Sequence, residues 1–131
     1  MKRLLLFFAL VTMLVSCTVD TTSVVNLTAQ EQDWVINSDI PNFNPLYYSR
    51  TFSMPEITPN VYSQGSVQTY IVLDGAQETL PYVLHYKDGD ALWTRTVDCQ
   101  YSVGSITIFV TNSDFVVDPP KAMDFRVVVM R

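Results

Sequence analysis

From residue 30 onward, apolar and polar residues alternate in steps of two, and turn-forming residues interrupt each run before it reaches helical length. Val67, Thr69, Ile71 and Leu73 fall on one side of such a run, with Gln68, Tyr70 and Val72 on the other. Ile106, Ile108 and Val110 repeat the pattern. A period of two places alternate side chains on opposite faces of a strand, whereas a helix needs a period of 3.6. Asp74-Gly75 and Asp88-Gly89 lie between apolar runs, and each dipeptide favours the tight, positive-φ turn of a β-hairpin. The chain is therefore expected to build antiparallel sheet.

Taken in order, Trp34 and Ile36 alternate with Val35 and Asn37 as a first short strand, which Asp39 to Asn42 and Asn44-Pro45 break. Leu46 to Met54 forms the second, with Tyr48, Phe52 and Met54 on one face and Tyr47, Ser49, Thr51 and Ser53 on the other. Arg50 shares the apolar face, so its charge must snorkel to an edge. Thr58-Pro59 has the form of an N-cap followed by proline at the first helical position, predicting one helical turn through Tyr62 that closes at Gly65. A strand from Val67 to Leu73 follows, then a return strand from Thr79 to Lys87 that carries Pro81, a residue confined to edges and bulges. Ala91 to Tyr101 comes next, its apolar face of Trp93, Val97, Cys99 and Tyr101 interrupted by Arg95. Ser105 to Thr111 precedes a loop through Asp118-Pro119-Pro120. The last strand is apolar on both faces around Val127 to Val129, which suggests a central position. About seven short strands with regular turns predict an all-β, antiparallel β-sandwich of immunoglobulin-like type. A lipocalin-like barrel needs an eighth strand and a ligand cavity.

The beginning of the chain is of a different kind. Lys2 and Arg3 precede an apolar run from Leu4 to Val15, which is too short for a hydrocarbon core that takes roughly 20 residues. It ends in Leu14-Val15-Ser16-Cys17, which resembles the lipobox of bacterial lipoproteins. The resemblance implies a signal peptide over 1–16 and a Cys17 that becomes the first mature residue and carries the lipid. The Thr-, Ser- and Asn-containing stretch at 17–29 is expected to be a lipidated tether, with the sandwich at 30–131. A plain secretory signal with an incidental cysteine is the alternative. Further on, Pro55-Glu56-Ile57-Thr58, Val61-Tyr62, Gly65 with Val67, Leu80-Pro81-Tyr82-Val83 and Phe125 to Val129 resemble, in that order, small lipoproteins of gut Bacteroidetes. That resemblance implies a lipid-anchored cell-envelope protein at the outer membrane, with a β-domain and no catalytic residues to carry over. Asp20 is the single acid close behind Cys17, so the surface and periplasmic faces both stay open.

Charge narrows the partners. Without residues 1–16 the chain has 115 residues, 6 basic and 13 acidic, a net charge of −7. Such a surface repels phosphate backbones, so no nucleic-acid partner is expected, and the membrane contact is the lipid. No cofactor or metal motif is present, and with Cys17 acylated, Cys99 has no disulfide partner and reads as a small buried apolar residue. His85 is the one histidine, on a strand. Asp88 and Asp90 share a hairpin tip with too few oxygens for calcium, and Asp114 and Asp118 form a loose acidic pair. A hydrolase would have to use His85 or that pair. Aromatic faces suit the C–H face of a sugar, and Trp34, Tyr47, Tyr48, Trp93 and Tyr101 are the candidates. Trp34 and Trp93 are expected first in the core. Tyr47 stands out because its face carries Ser49, Thr51 and Ser53. The expected role is a non-catalytic binding or accessory module for a glycan or an envelope protein. The alternative is an assembly subunit joined through a sheet edge.

Overall fold

The computed structural model describes residues 21–37 and 46–131. The expectations for the signal segment, Cys17 and the breaks at 39–45 lie outside those residues. Among the described residues nine strands run in chain order as β1 (Thr22–Ala29), β2 (Val35–Asn37), β3 (Tyr47–Met54), β4 (Ser66–Leu73), β5 (Ala76–Thr79), β6 (Tyr82–Asp88), β7 (Ala91–Ser102), β8 (Gly104–Asn112) and β9 (Met123–Met130). They form two antiparallel sheets, one of order β1-β9-β4-β5 and one of order β2-β3-β8-β7-β6. The all-β sandwich read from the alternation is the fold. The strand order departs from an immunoglobulin constant domain, where the first strand lies beside the second; here it lies beside the last.

The alternation sets the core. Val127, Val129 and Phe125 of β9 meet Ile106, Ile108 and Val110 of β8 from the opposite sheet, and all six are buried. Each such side chain removed from water contributes about 1.5–3 kcal/mol. β9 is central, as its two apolar faces imply. The Asp74-Gly75 hairpin forms with both residues at positive φ (47° and 83°).

Two boundaries differ from the sequence reading. The stretch expected as tether over 17–29 holds β1, all eight of whose residues pair with β9, so the domain includes Thr22 onward. The reason is register: Val25, Leu27 and Ala29 point inward in step with Val127, Phe125 and Met123, and Ala29 is buried. The return strand expected from Thr79 to Lys87 is two strands. β5 pairs with β4, and beyond Leu80-Pro81 the chain crosses to the other sheet, where β6 pairs with β7. Both β5 and β6 are edges, where a proline between them costs no ladder bond.

The two ends of the sandwich are closed differently. At one, helix α1 (Pro59–Gln64) bridges β3 to β4. The Thr58 side chain accepts the Val61 N–H at 3.2 Å, and Gly65 N–H bonds back to Val61 O at 2.8 Å. Ile57 and Val61 plug this end. At the other, the segment 113–122 connects β8 to β9; it buries Pro120, while Asp118, Pro119 and Lys121 line a cleft that leaves this end partly open.

Candidate functional site

The open end is shaped by β6 and β7. Their register sets Tyr86 directly opposite Trp93 on the inward face, and the rings stack with centroids 4.2 Å apart at 10°. Two residues along β7, on the same face, comes Arg95. It is only 7 % exposed, and its guanidinium carbon lies 5.5 Å from the Trp93 centroid and 5.8 Å from that of Tyr86. Its Nε donates to Asn112 Oδ1 at 2.9 Å. Its Nη2 donates to the Asp118 main-chain oxygen at 3.1 Å and to the carboxylate at 2.6 Å. A buried cation is tolerated only when paired and hydrogen-bonded in this way. The bonds to Asp118 also hold the 113–122 segment against the sandwich. Trp34 adds a second fastening, its indole N–H donating to Lys121 O at 3.3 Å.

Tyr86, Trp93, Arg95, Asp118, Lys121 and Met123 line a half-open cleft of about 360 Å³. That is within the range of small-molecule sites, roughly 300–1,000 Å³. A smaller apolar recess of about 180 Å³, between Leu73, Leu84 and Ala122, shares Tyr86 and Met123 with it. Each ring has one face covered by the other, which leaves their outer faces and edges, a paired cation over the stack and a mixed acid–base lip.

The sequence candidates are distributed as follows. Trp93 lines the cleft at the open end and lies outside the core expected for it. Trp34 is half-buried and packs on the core as expected. Tyr47 is half-buried on the outward face of β3 and meets Phe109 edge-on, 5.9 Å between centroids. That face is rich in hydroxyls, with Thr51 and Thr107 joined at 2.8 Å. Tyr48 is 1 % exposed and belongs to the core. Tyr101 pairs with Tyr62 near the helical end. Cys17 lies outside the described residues.

The candidate catalytic groups do not converge. His85 is exposed and faces outward opposite Thr94, on the other side of its sheet from Arg95 and Asp118. Asp114 accepts the Val116 N–H at 3.1 Å in its own turn, while Asp118 serves Arg95. Asp88 and Asp90 are exposed at the hairpin. Among the described residues no three metal-binding side chains cluster. Cys99 is a free, half-buried thiol; burial pushes its pKa above the ordinary 9.0, opposed in part by the Thr69 hydroxyl from the facing sheet and reinforced by Asp98.

Sequence reasoning missed Tyr86, Lys121 and the role of Arg95. The available signal was Arg95 itself, a charge on the apolar face of a long strand. What it pairs with, 23 positions away, is not encoded in any local pattern. No protein-family model, no curated protein and no solved structure matches this chain. The class that fold and site define is a two-layer antiparallel β-sandwich with an aromatic–arginine cleft at its open end.

Proposed function

We propose that this chain is a lipid-anchored protein of the bacterial cell envelope, held at the outer membrane through Cys17, that binds a glycan in the open-end cleft as a non-catalytic accessory module. The observation that carries the binding reading is the Tyr86–Trp93 stack beside Arg95. Stacking covers one face of each ring, so the outer ring faces would present the flat apolar surface to the C–H face of a sugar, with the charged lip beside them. The anchoring rests on Leu14-Val15-Ser16-Cys17 and on the resemblance to Bacteroidetes lipoproteins. The direction of β1 sets which end of the sandwich such an anchor would approach. Thr22 pairs with Met130 at the helical end, and β1 runs from there toward the open end. A tether from Cys17 to Thr22 reaches at most about 18 Å at 3.3–3.6 Å per residue. The helical end then faces the bilayer and the cleft faces away from it.

Two experiments test this. Mass spectrometry of the mature N terminus is expected to find a lipid-modified Cys17; a retained Met1 or an unmodified thiol overturns the anchoring. A glycan panel probed with the detergent-solubilised full chain is expected to yield a binder whose Kd rises at least tenfold, about 1.4 kcal/mol, in Trp93→Ala. Tyr47→Ala is expected to leave it unchanged. Loss with Tyr47→Ala and not Trp93→Ala would move the site to the outward face of β3.

An assembly role through a sheet edge is favoured by one observation. β1 is an eight-residue edge strand with no proline and no charged residue, devices that normally protect such edges. Concentration-dependent self-association that Asn26→Lys abolishes would support it.

A further inference from the structure

We infer that β1 pairs with β1 of a second copy of this chain, antiparallel about a two-fold axis that sets Val25 opposite Val25; this rests on the edge-assembly reading above and is independent of the glycan reading. The ladder shows which main-chain groups face the edge. Arg131 N–H donates to Thr21 O at 3.1 Å, one place beyond the Thr22–Met130 pair. In an antiparallel ladder, residues that exchange such bonds alternate with residues whose N–H and C=O point the other way. Ser23, Val25, Leu27 and Ala29 are therefore the residues bonded to β9, and Thr22, Val24, Asn26 and Thr28 aim both main-chain groups away from it. All four are exposed, and among the described residues no strand lies beyond them.

The other terminal strands of the two sheets are built differently. β2 has three residues, β5 has four with Glu78 among them, and β6 carries His85, Lys87 and Asp88. Short length and charge keep an edge from pairing, and β1 alone is both long and uncharged. A second copy is the occupant that fits it. With Val25 opposite Val25, Thr22 meets Thr28 and Val24 meets Asn26, so each edge-facing N–H and C=O is answered by one from the other copy. Inward residues stay inward, because only like-facing residues are matched. Val25 and Leu27, half-buried at the edge, gain cover from Val25 and Ser23 of the second copy. From Cys17 onward the net charge is −7, so most of the surface repels a second copy, and the uncharged β1 does not. Two four-stranded sheets are thereby joined edge to edge, and the assembly closes at two because the far edge, β5, is short and charged. The two Thr22 residues then lie about 20 Å apart, at 3.4 Å per residue. Tethers of up to about 18 Å let both Cys17 residues reach one bilayer when the shared ladder lies along it. The pair lies along the membrane, where a single copy stands on its helical end.

The test has two arms, both on the detergent-solubilised full chain. In the first, Val24→Cys, Val25→Cys and Asn26→Cys are each placed in a Cys99→Ala background and mildly oxidised. Opposed residues of a pair that exchanges no hydrogen bonds have Cα atoms about 4.5 Å apart, within disulfide reach. Val25→Cys is therefore expected to give a disulfide-linked dimer several-fold faster than the other two. Faster linkage at 24 or 26 overturns this register and leaves edge assembly standing. The second arm measures association by sedimentation in density-matched detergent. Val24→Lys combined with Asn26→Lys sets like charges directly opposite each other and is expected to weaken association by about tenfold or more. Mixing that chain with one carrying Val24→Glu and Asn26→Glu is expected to restore it. Both positions are exposed, so the unfolding midpoint of each dilute variant is expected to match that of the unaltered chain. Loss without restoration overturns the pairing of Val24 with Asn26. Association undiminished by the lysines overturns pairing through β1. An unaltered chain that stays monomeric at every concentration overturns the edge-assembly reading as well.

Discussion

Arg95 is the residue on which the open end depends. It fastens three things at once: its own strand, Asn112 at the end of β8, and Asp118 on the connecting segment. Arg95→Ala leaves the Asn112 carbonyl without its donor and the Asp118 side chain without its partner. Because Asp118 is half-exposed, part of that loss is recovered by water. Urea unfolding is expected to show a destabilisation of about 2–4 kcal/mol. Limited proteolysis is expected to cut within 113–122 in the variant and not in the unaltered protein. Cys99 makes a quieter prediction. Burial holds its thiol protonated, so alkylation by iodoacetamide at pH 8 is expected to be far slower in the folded protein than in urea. The linkage follows in sign. The folded pKa is raised, so the stabilising contribution is complete below 9.0 and is lost as pH climbs above it. Cys99→Ala is expected to flatten that alkaline decline, measured as unfolding free energy between pH 8 and 10.

At the scale of elements, two glycines separate two physical reasons for the same residue. Gly65, at the C-terminal end of α1, has φ −99°, which any residue adopts; its constraint is space, because a Cβ there would run into Met130 O and lie 2.9 Å from Val61 O. Gly75 has open space around it, but its φ of 83° favours a residue without a Cβ. Gly65→Ala is therefore expected to cost about 2 kcal/mol or more through steric displacement of β9 from the helix. Gly75→Ala is expected to cost about 1–2 kcal/mol through backbone strain alone. Thermal melts of both, with the hairpin amide shifts, check the two origins. The strands that the sequence made legible are those with an apolar face: β3, β4, β7, β8 and β9. β5 was not, because Ala76-Gln77-Glu78-Thr79 is exposed throughout and buries nothing to betray a period. β1 was obscured differently. Its inward residues, Ser23, Val25, Leu27 and Ala29, are small or medium-sized, and Val24 on the outward face breaks the contrast that marks a strand.

For the whole molecule, β1 decides what counts as the folded unit. A chain beginning at Gln30 lacks Ala29, Leu27 and Val25 from the core and leaves β9 unpaired along one side. It is expected to lose the sharp unfolding transition and to aggregate, whereas a chain beginning at Thr21 keeps both the transition and the secondary structure, as circular dichroism and denaturant titration can show. The site was legible only in part for a related reason. Trp93 and Arg95 share a face by a local rule, but the closure by Asp118, Lys121 and Trp34 joins segments distant in sequence that only the packed sandwich brings together.

The side-by-side placement of the first and last strands has a mechanical consequence. A load applied between residue 21 and a ligand in the open end acts along β1, parallel to its axis, because that strand begins at one pole and ends at the other. The β1–β9 ladder would then carry tension in shear, with its rungs stretched together and not unzipped one by one. If the chain is anchored ahead of residue 21 as proposed, drag on a bound ligand would pull along the direction in which that strand is strongest.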